Sequence, residues 1–118
     1  MWTLQPTDRW DKDQRHYVKK HPAELAAVLR NLERYLALLG VSKNPRAVYA
    51  GYLHPEGGGV LAVDQKGGGG NLQETRLYTF ACEERHIVYL ITIGNKDTQA
   101  ADIRLSRRFV ASLNQSNT

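Results

Sequence analysis

The chain has 118 residues, which suits one domain and is too short for two independent cores. Its 42% hydrophobic and 24% charged residues are typical of a globular protein, and no apolar run approaches the roughly 18 residues of a membrane span. Residues 1–6 lack the basic and apolar regions of a signal peptide, and the one cysteine, Cys82, cannot form an intramolecular disulfide. We therefore expect a cytoplasmic protein. A net charge of +4 favours a polyanionic partner.

The N-terminal residues predict a strand followed by a helix. Trp2 and Leu4 alternate with polar neighbours ahead of Pro6, as in a short strand. Thr7 can cap a helix over residues 8–20, which has acidic residues in its first turn and lysines in its last.

A second helix is expected from Pro22, which suits a first helical position, to Gly40, which suits a helix end. One apolar stripe runs along it at spacings of three and four residues and consists of Leu25, Leu29, Leu32, Leu36 and Leu39. The stripe could form a coiled-coil seam. Its length of about three heptads and its glycine stop favour one arm of a helical hairpin packed on a sheet.

Beyond Pro45 the pattern becomes extended and predicts three strands, near residues 60–65, 72–80 and 86–93. Short connections between them predict an antiparallel meander. The glycine run 67–70 has neither the Lys-Ser or Lys-Thr pair nor the helix of a phosphate-binding loop, so we interpret it as a flexible hairpin loop and expect no cofactor. The expected fold is α+β: an N-terminal strand and helical hairpin packed on a small antiparallel sheet, with a C-terminal helix.

The last helix is expected over residues 98–113, with a frayed tail at 114–118. A helical wheel places Asp102 in the middle of its apolar face, with Gln99 one turn earlier on the same side. Three arginines, at positions 104, 107 and 108, fall on the opposite face and are either solvated or in contact with nucleic acid or a partner. A buried acid needs a polar partner, for which Arg76 and Lys96 are the candidates. Asp102 is then either catalytic or part of a salt bridge that docks the helix.

The segment GNKDTQAADI from Gly94 to Ile103, directly after an apolar strand and preceded by RLYTF from Arg76, carries a family resemblance. It resembles the RelE/HigB-like toxins of bacterial toxin–antitoxin modules, closest to the branch called addiction module killer proteins. The order of elements agrees with that RelE/ParE-like fold over most of the chain.

The resemblance implies a ribonuclease that enters the ribosomal A site and cuts mRNA. By position, Arg76 and Lys96 would hold the scissile phosphate, and Asp102 falls where relatives carry a catalytic side chain. Lys66 and Gln99 are further candidates for RNA binding. The strand at 60–66 departs from the family because it lacks a pair of alternating basic residues and keeps only Lys66 at its end.

Because of that departure, the resemblance does not assign the residue that acts as general base. His54 could supply it because histidine titrates near neutrality, although a loop histidine beside a proline is often only a surface residue.

The resemblance also implies partners: a cognate antitoxin, often of the helix-turn-helix type, the ribosome with its mRNA, and operator DNA through the antitoxin alone. Two alternatives share the fold, a ParE-like toxin that inhibits DNA gyrase without nuclease activity and a binding protein that kept the scaffold. Arg76, Lys96 and Asp102 favour the nuclease, whereas the missing strand lysines favour the alternatives.

Overall fold

A computed structural model describes residues 1–116, and within them the chain forms a five-stranded sheet and three α-helices. In chain order these elements are β1 (Thr3–Pro6), α1 (Asp8–Lys20), α2 (Pro22–Val41), β2 (Leu53–Gly57), β3 (Val60–Asp64), β4 (Thr75–Cys82), β5 (Ile87–Asn95) and α3 (Gln99–Ser116). A short 3₁₀ turn, Pro45–Ala47, precedes β2. The expected α+β architecture, with its helical hairpin and C-terminal helix, is confirmed.

The sheet has the order β1-β5-β4-β3-β2. Strands β2 to β5 form an antiparallel meander, in which β3, β4 and β5 confirm the three predicted strands. The predicted N-terminal strand joins this sheet at its edge, where β1 pairs parallel to β5. A parallel neighbour needs a long crossover, and here the helical hairpin and the meander together supply it.

Helix α1 continues along the edge of β5 where β1 ends. Thr7 caps the helix by accepting a hydrogen bond from Trp10 N, and its hydroxyl donates to the carbonyl of Ile91. Nearly two turns beyond Thr7, Asp13 accepts a hydrogen bond of 2.6 Å from the hydroxyl of Thr92. Strand β1 and helix α1 therefore cover successive halves of the same strand edge.

Strand β2 was not predicted. Its sequence contains Pro55 and ends in glycines, which indicated a loop, and His54 was interpreted as a loop residue. The strand lies at the edge of the sheet, where a proline is tolerated because no neighbour needs its N–H. A register shift between Pro55 and Gly57 adjusts its pairing with β3.

Each face of the sheet carries one core. Helices α1 and α2 pack on one face, where the buried side chains include Val28, Leu32 and Leu39 from α2 with Leu53, Val63, Leu77, Val88 and Ile93 from the strands. Helix α3 packs on the other face, mainly over β5, β4 and β3, with a smaller core of Val60, Ala62, Tyr78, Ile91 and Val110. The leucine stripe of α2 therefore faces the sheet, which excludes a coiled-coil seam for it.

The loop between β3 and β4 is held by hydrogen bonds at its base, while its tip has free space around it. Asn31 donates to the carbonyls of Asp64 and Lys66, and the side chain of Gln65 accepts the N–H of Thr75. Strand β4 begins at Thr75 rather than at residue 72, because Glu24 of α2 accepts the N–H of residue 73.

The C-terminal boundary also differs from the expectation. Helix α3 ends at Ser116, three residues beyond the expected end at 113, and residues 117 and 118 of the expected frayed tail lie outside the described part of the chain.

Candidate functional site

The face of the sheet that carries α3 also carries a row of polar side chains. Leu53, Val63 and Leu77 point to the opposite core, so their strand neighbours His54, Asp64 and Arg76 point to the α3 face. These three residues lie on the adjacent strands β2, β3 and β4, with Asp64 directly opposite Arg76 in register. We call His54, Asp64 and Arg76 the polar row.

His54 and Asp64 form a histidine–carboxylate pair. His54 Nε2 lies 2.6 Å from Asp64 Oδ2, with 25% of the histidine side chain and 4% of the aspartate side chain exposed. The second carboxylate oxygen accepts the backbone N–H of Lys66 at 2.7 Å. His54 is thus a strand residue with a buried acidic partner, and the interpretation as a loop histidine is wrong.

Lys66 lies next to this pair, just beyond the end of β3. Its Nζ is 3.7 Å from Asp64 Oδ2 and donates to the carbonyl of Gly51 at 3.2 Å, while 63% of the side chain stays exposed. The lysine therefore adds an accessible positive charge at the margin of the polar row.

Arg76 pairs with two carboxylates. Its Nη1 lies 3.0 Å from Glu56 Oε1 and its Nη2 lies 3.1 Å from Glu74 Oε1. Glu56 is largely buried, with 14% of its side chain exposed, whereas Glu74 is 41% exposed. A phosphate that binds Arg76 must therefore compete with these acids, and the more accessible Glu74 is the easier one to displace.

Asp102 is buried as the helical wheel predicts, but its hydrogen-bond partner is neither of the two candidates, Arg76 and Lys96. It accepts a hydrogen bond of 2.7 Å from the hydroxyl of Thr98, four residues earlier, and is 7% exposed. Arg76 is engaged by the two glutamates, and Lys96 lies in the exposed turn after β5. Burial raises the pKa of Asp102, the Thr98 hydrogen bond opposes that rise, and Asp13 on α1 adds to it.

The position of Asp102 depends on a glycine in the sheet. Gly94 of β5 lies opposite Arg76 in register. A Cβ at Gly94 would lie 1.9 Å from Asp102 Oδ2 and 2.3 Å from Thr98 Oγ1. The first turn of α3 thus rests directly on the backbone of β5, beside the polar row.

Three buried polar atoms lack a hydrogen-bond partner among the described residues, and all belong to β4 or α3. They are the hydroxyls of Tyr78 and Ser106 and the Nε of Arg76. Burial raises the pKa of Tyr78, and the charge of Asp102 raises it further. The interface between α3 and the sheet is therefore polar where it borders the polar row and apolar further along the helix.

The remaining predicted residues lie around this centre. Gln99 begins α3 and is half-buried, and its backbone N–H bonds to the carbonyl of Lys96. The three arginines expected on the outer face of α3 are all exposed. One of them, Arg107, donates a hydrogen bond of 2.8 Å from Nε to the carbonyl of Glu56. It ties the helix to β2.

Sequence reasoning missed Asp64, Glu56 and Glu74. Asp64 had a signal, since it is the single charge that ends the apolar run Val60–Asp64. The two glutamates had none, because their contact with Arg76 depends on the unpredicted edge strand and on its register.

The described residues contain no group of three or more histidines, cysteines and acids placed to hold a metal ion. No helix among them is long and apolar enough to cross a bilayer. In comparisons with known proteins, no family model matches the chain and no curated protein is detectably similar to it.

Proposed function

We propose that the protein is an endoribonuclease that cleaves mRNA on the ribosome, as the toxin of a bacterial toxin–antitoxin module. The observation that carries the proposal is the polar row, in which a histidine with a buried carboxylate partner and an arginine lie on one sheet face. The resemblance in the segment 94–103 supports the module and its mRNA substrate.

The residues supply what cleavage by a ribose 2′-hydroxyl requires. His54 takes the hydroxyl proton while the 2′-oxygen bonds to phosphorus. Arg76 stabilises the negative charge that develops on the phosphoryl oxygens. The bond from phosphorus to the 5′-oxygen breaks, and this oxygen takes a proton from solvent. The products are a 2′,3′-cyclic phosphate and a 5′-hydroxyl end, and His54 then returns its proton to water.

The spacing of the polar row suits one nucleotide. Strands β2 and β4 are separated by β3, so their backbones lie roughly 10 Å apart, and both side chains lean over the same face. One ribose with its 3′-phosphate can therefore contact His54 and Arg76 together. Lys66 at the margin of the row supports binding of an adjacent phosphate.

Under this proposal Lys96, in the turn after β5, and Gln99, at the start of α3, contact the RNA strand. Asp102 is assigned no contact with substrate, since it is buried beneath that turn. A cognate antitoxin of helix-turn-helix type completes the module and links the toxin to operator DNA, and both act in the cytoplasm.

One observation favours the ParE-like alternative, inhibition of DNA gyrase by binding. The two ion pairs of Arg76 neutralise the cation on which the chemistry depends. In that case the polar row serves a protein contact, and no phosphodiester bond is broken.

The test is induction without the antitoxin, followed by mapping of mRNA 5′ ends. The nuclease produces growth arrest and new 5′-hydroxyl ends within translated frames. We expect His54→Gln and Arg76→Ala each to lower cleavage about 10²-fold or more. Matched controls are His16→Gln on α1 and Arg46→Ala in the 3₁₀ turn, both exposed and outside the polar row.

Arrest with intact mRNA and accumulating gyrase–DNA cleavage complexes would select the alternative. Thermal melting of each variant separates a loss of activity from a loss of fold.

A further inference from the structure

The carboxylate of Asp64 is held in place from several sides. The residue is 3% exposed, and Oδ1 accepts the N–H of Lys66 while Oδ2 faces His54. Asn31, itself 1% exposed, donates to the carbonyls of Asp64 and Lys66. The backbone N–H of Asp64 donates to the carbonyl of Tyr52. The backbone on both sides of the carboxylate is therefore fixed, and the carboxylate cannot turn away from the histidine without losing its hydrogen bond from the N–H of Lys66.

This arrangement determines which ring nitrogen carries the proton in neutral His54. A carboxylate only accepts hydrogen bonds, so the contact of 2.6 Å requires a proton on Nε2. A neutral imidazole has one N–H, and Nδ1 then keeps a free lone pair. The nitrogen able to take a proton from substrate is Nδ1.

We propose that Asp64 is the positioning residue of the site, which holds His54 as the Nε2–H tautomer and so makes Nδ1 the proton acceptor. The proposal rests on the proposed endonuclease function. In the cleavage step the 2′-hydroxyl proton moves to Nδ1, and the resulting imidazolium keeps its Nε2–H bond to Asp64, whose negative charge stabilises it.

Asp64→Asn is the informative variant because the amide has one acceptor and one donor end. Its oxygen replaces Oδ1 in accepting the N–H of Lys66, which turns the NH₂ group toward His54. An NH₂ group can only donate, so Nε2 must accept and the ring proton moves to Nδ1. The variant thus places a proton on the nitrogen that should receive one.

The experiment is a two-bond ¹H–¹⁵N correlation spectrum of the full chain with ¹⁵N-labelled histidine, together with steady-state cleavage. We expect His54 as the Nε2–H tautomer in the parent and as the Nδ1–H tautomer in Asp64→Asn. We expect kcat to fall about 10²-fold with KM unchanged. Asp97→Asn, the same chemical change in the exposed turn after β5, should keep the parental tautomer and kcat.

An Nδ1–H tautomer in an active parent protein overturns the role of Asp64 and leaves the endonuclease proposal standing. If Asp64→Asn keeps both the parental tautomer of His54 and the parental kcat, the role of Asp64 is also overturned. An Nε2–H tautomer in a parent protein that cuts no RNA refutes the endonuclease and, with it, the catalytic part of the inference. Because the parent spectrum alone assigns the tautomer, a variant that fails to fold does not remove the test.

Discussion

Gly94→Ala tests how closely the first turn of α3 rests on the sheet. The new Cβ would meet Asp102 Oδ2 at 1.9 Å and Thr98 Oγ1 at 2.3 Å, whereas ordinary contact begins at 3.4 Å. Both atoms must move by more than 1 Å, and overpacking of this kind costs about 1–3 kcal/mol. Alanine is favoured over glycine within a strand by about 0.5–1 kcal/mol. We expect a net loss of about 1–2 kcal/mol in the free energy of unfolding.

The assay is urea unfolding followed by tryptophan fluorescence, arranged as a double-mutant cycle. Asp102→Ala removes the nearer obstacle, so Gly94→Ala should cost less in that background, with a coupling energy of about 1 kcal/mol. Gly40→Ala is the control, because Gly40 lies in α2 with no atom within 4 Å of an added Cβ. It should stabilise the protein by about 0.5–1 kcal/mol. If the losses in the two single variants sum to the loss in the double variant within about 0.5 kcal/mol, the close approach of Gly94 and Asp102 is refuted.

Three further changes test the ionisation of Asp102, the competition at Arg76 and the base of the glycine loop. Burial raises the folded-state pKa of Asp102, so the folded protein binds more protons than the unfolded chain, and stability falls as the pH rises from the ordinary value of 3.8 through the folded pKa. Asp102→Asn should remove this fall and stay within about 1 kcal/mol of the parent at low pH, as urea titrations across that range will measure. Glu74→Gln removes one exposed competitor of Arg76 and should tighten binding of a non-cleavable RNA about two- to fivefold in fluorescence anisotropy, an effect that salt reduces. Asn31→Ala breaks two hydrogen bonds to the loop base and should cost about 2–3 kcal/mol in urea unfolding.

Each of these results has a contrary outcome. A pH dependence that persists in Asp102→Asn would assign the effect to another acid. Equal RNA affinity in Glu74→Gln would mean that the glutamate does not compete with phosphate. Parental stability in Asn31→Ala would show that the loop base is held without this residue.

The helices were predictable because their signals are local. The cap at Thr7, the proline at the start of α2 and the leucine spacing each act within one or two turns. The burial of Asp102 was predictable for the same reason, since helical periodicity alone places it among the apolar residues.

The partners of the charged residues were not predictable in this way. Arg76 meets Glu56 across twenty residues of sequence, and His54 meets Asp64 across ten. Both contacts require β2, which was not predicted because its sequence contains a proline. Both also require the register of β2 against β3. A shift of one residue in that register would turn His54 to the opposite core.

The glycine loop between β3 and β4 offers a place to lengthen or cut the chain. Its base is held by side chains of α2 and by Gln65, while nothing lies within 4 Å of an added Cβ at Gly69 or Gly70. Each doubling of loop length costs only about 0.6 kcal/mol of closure entropy. A reporter peptide or new chain termini placed at this tip would lie between Asp64 and Arg76 in sequence without altering the strands that hold them. The tip is thus an attachment point at which an added segment leaves the polar row intact.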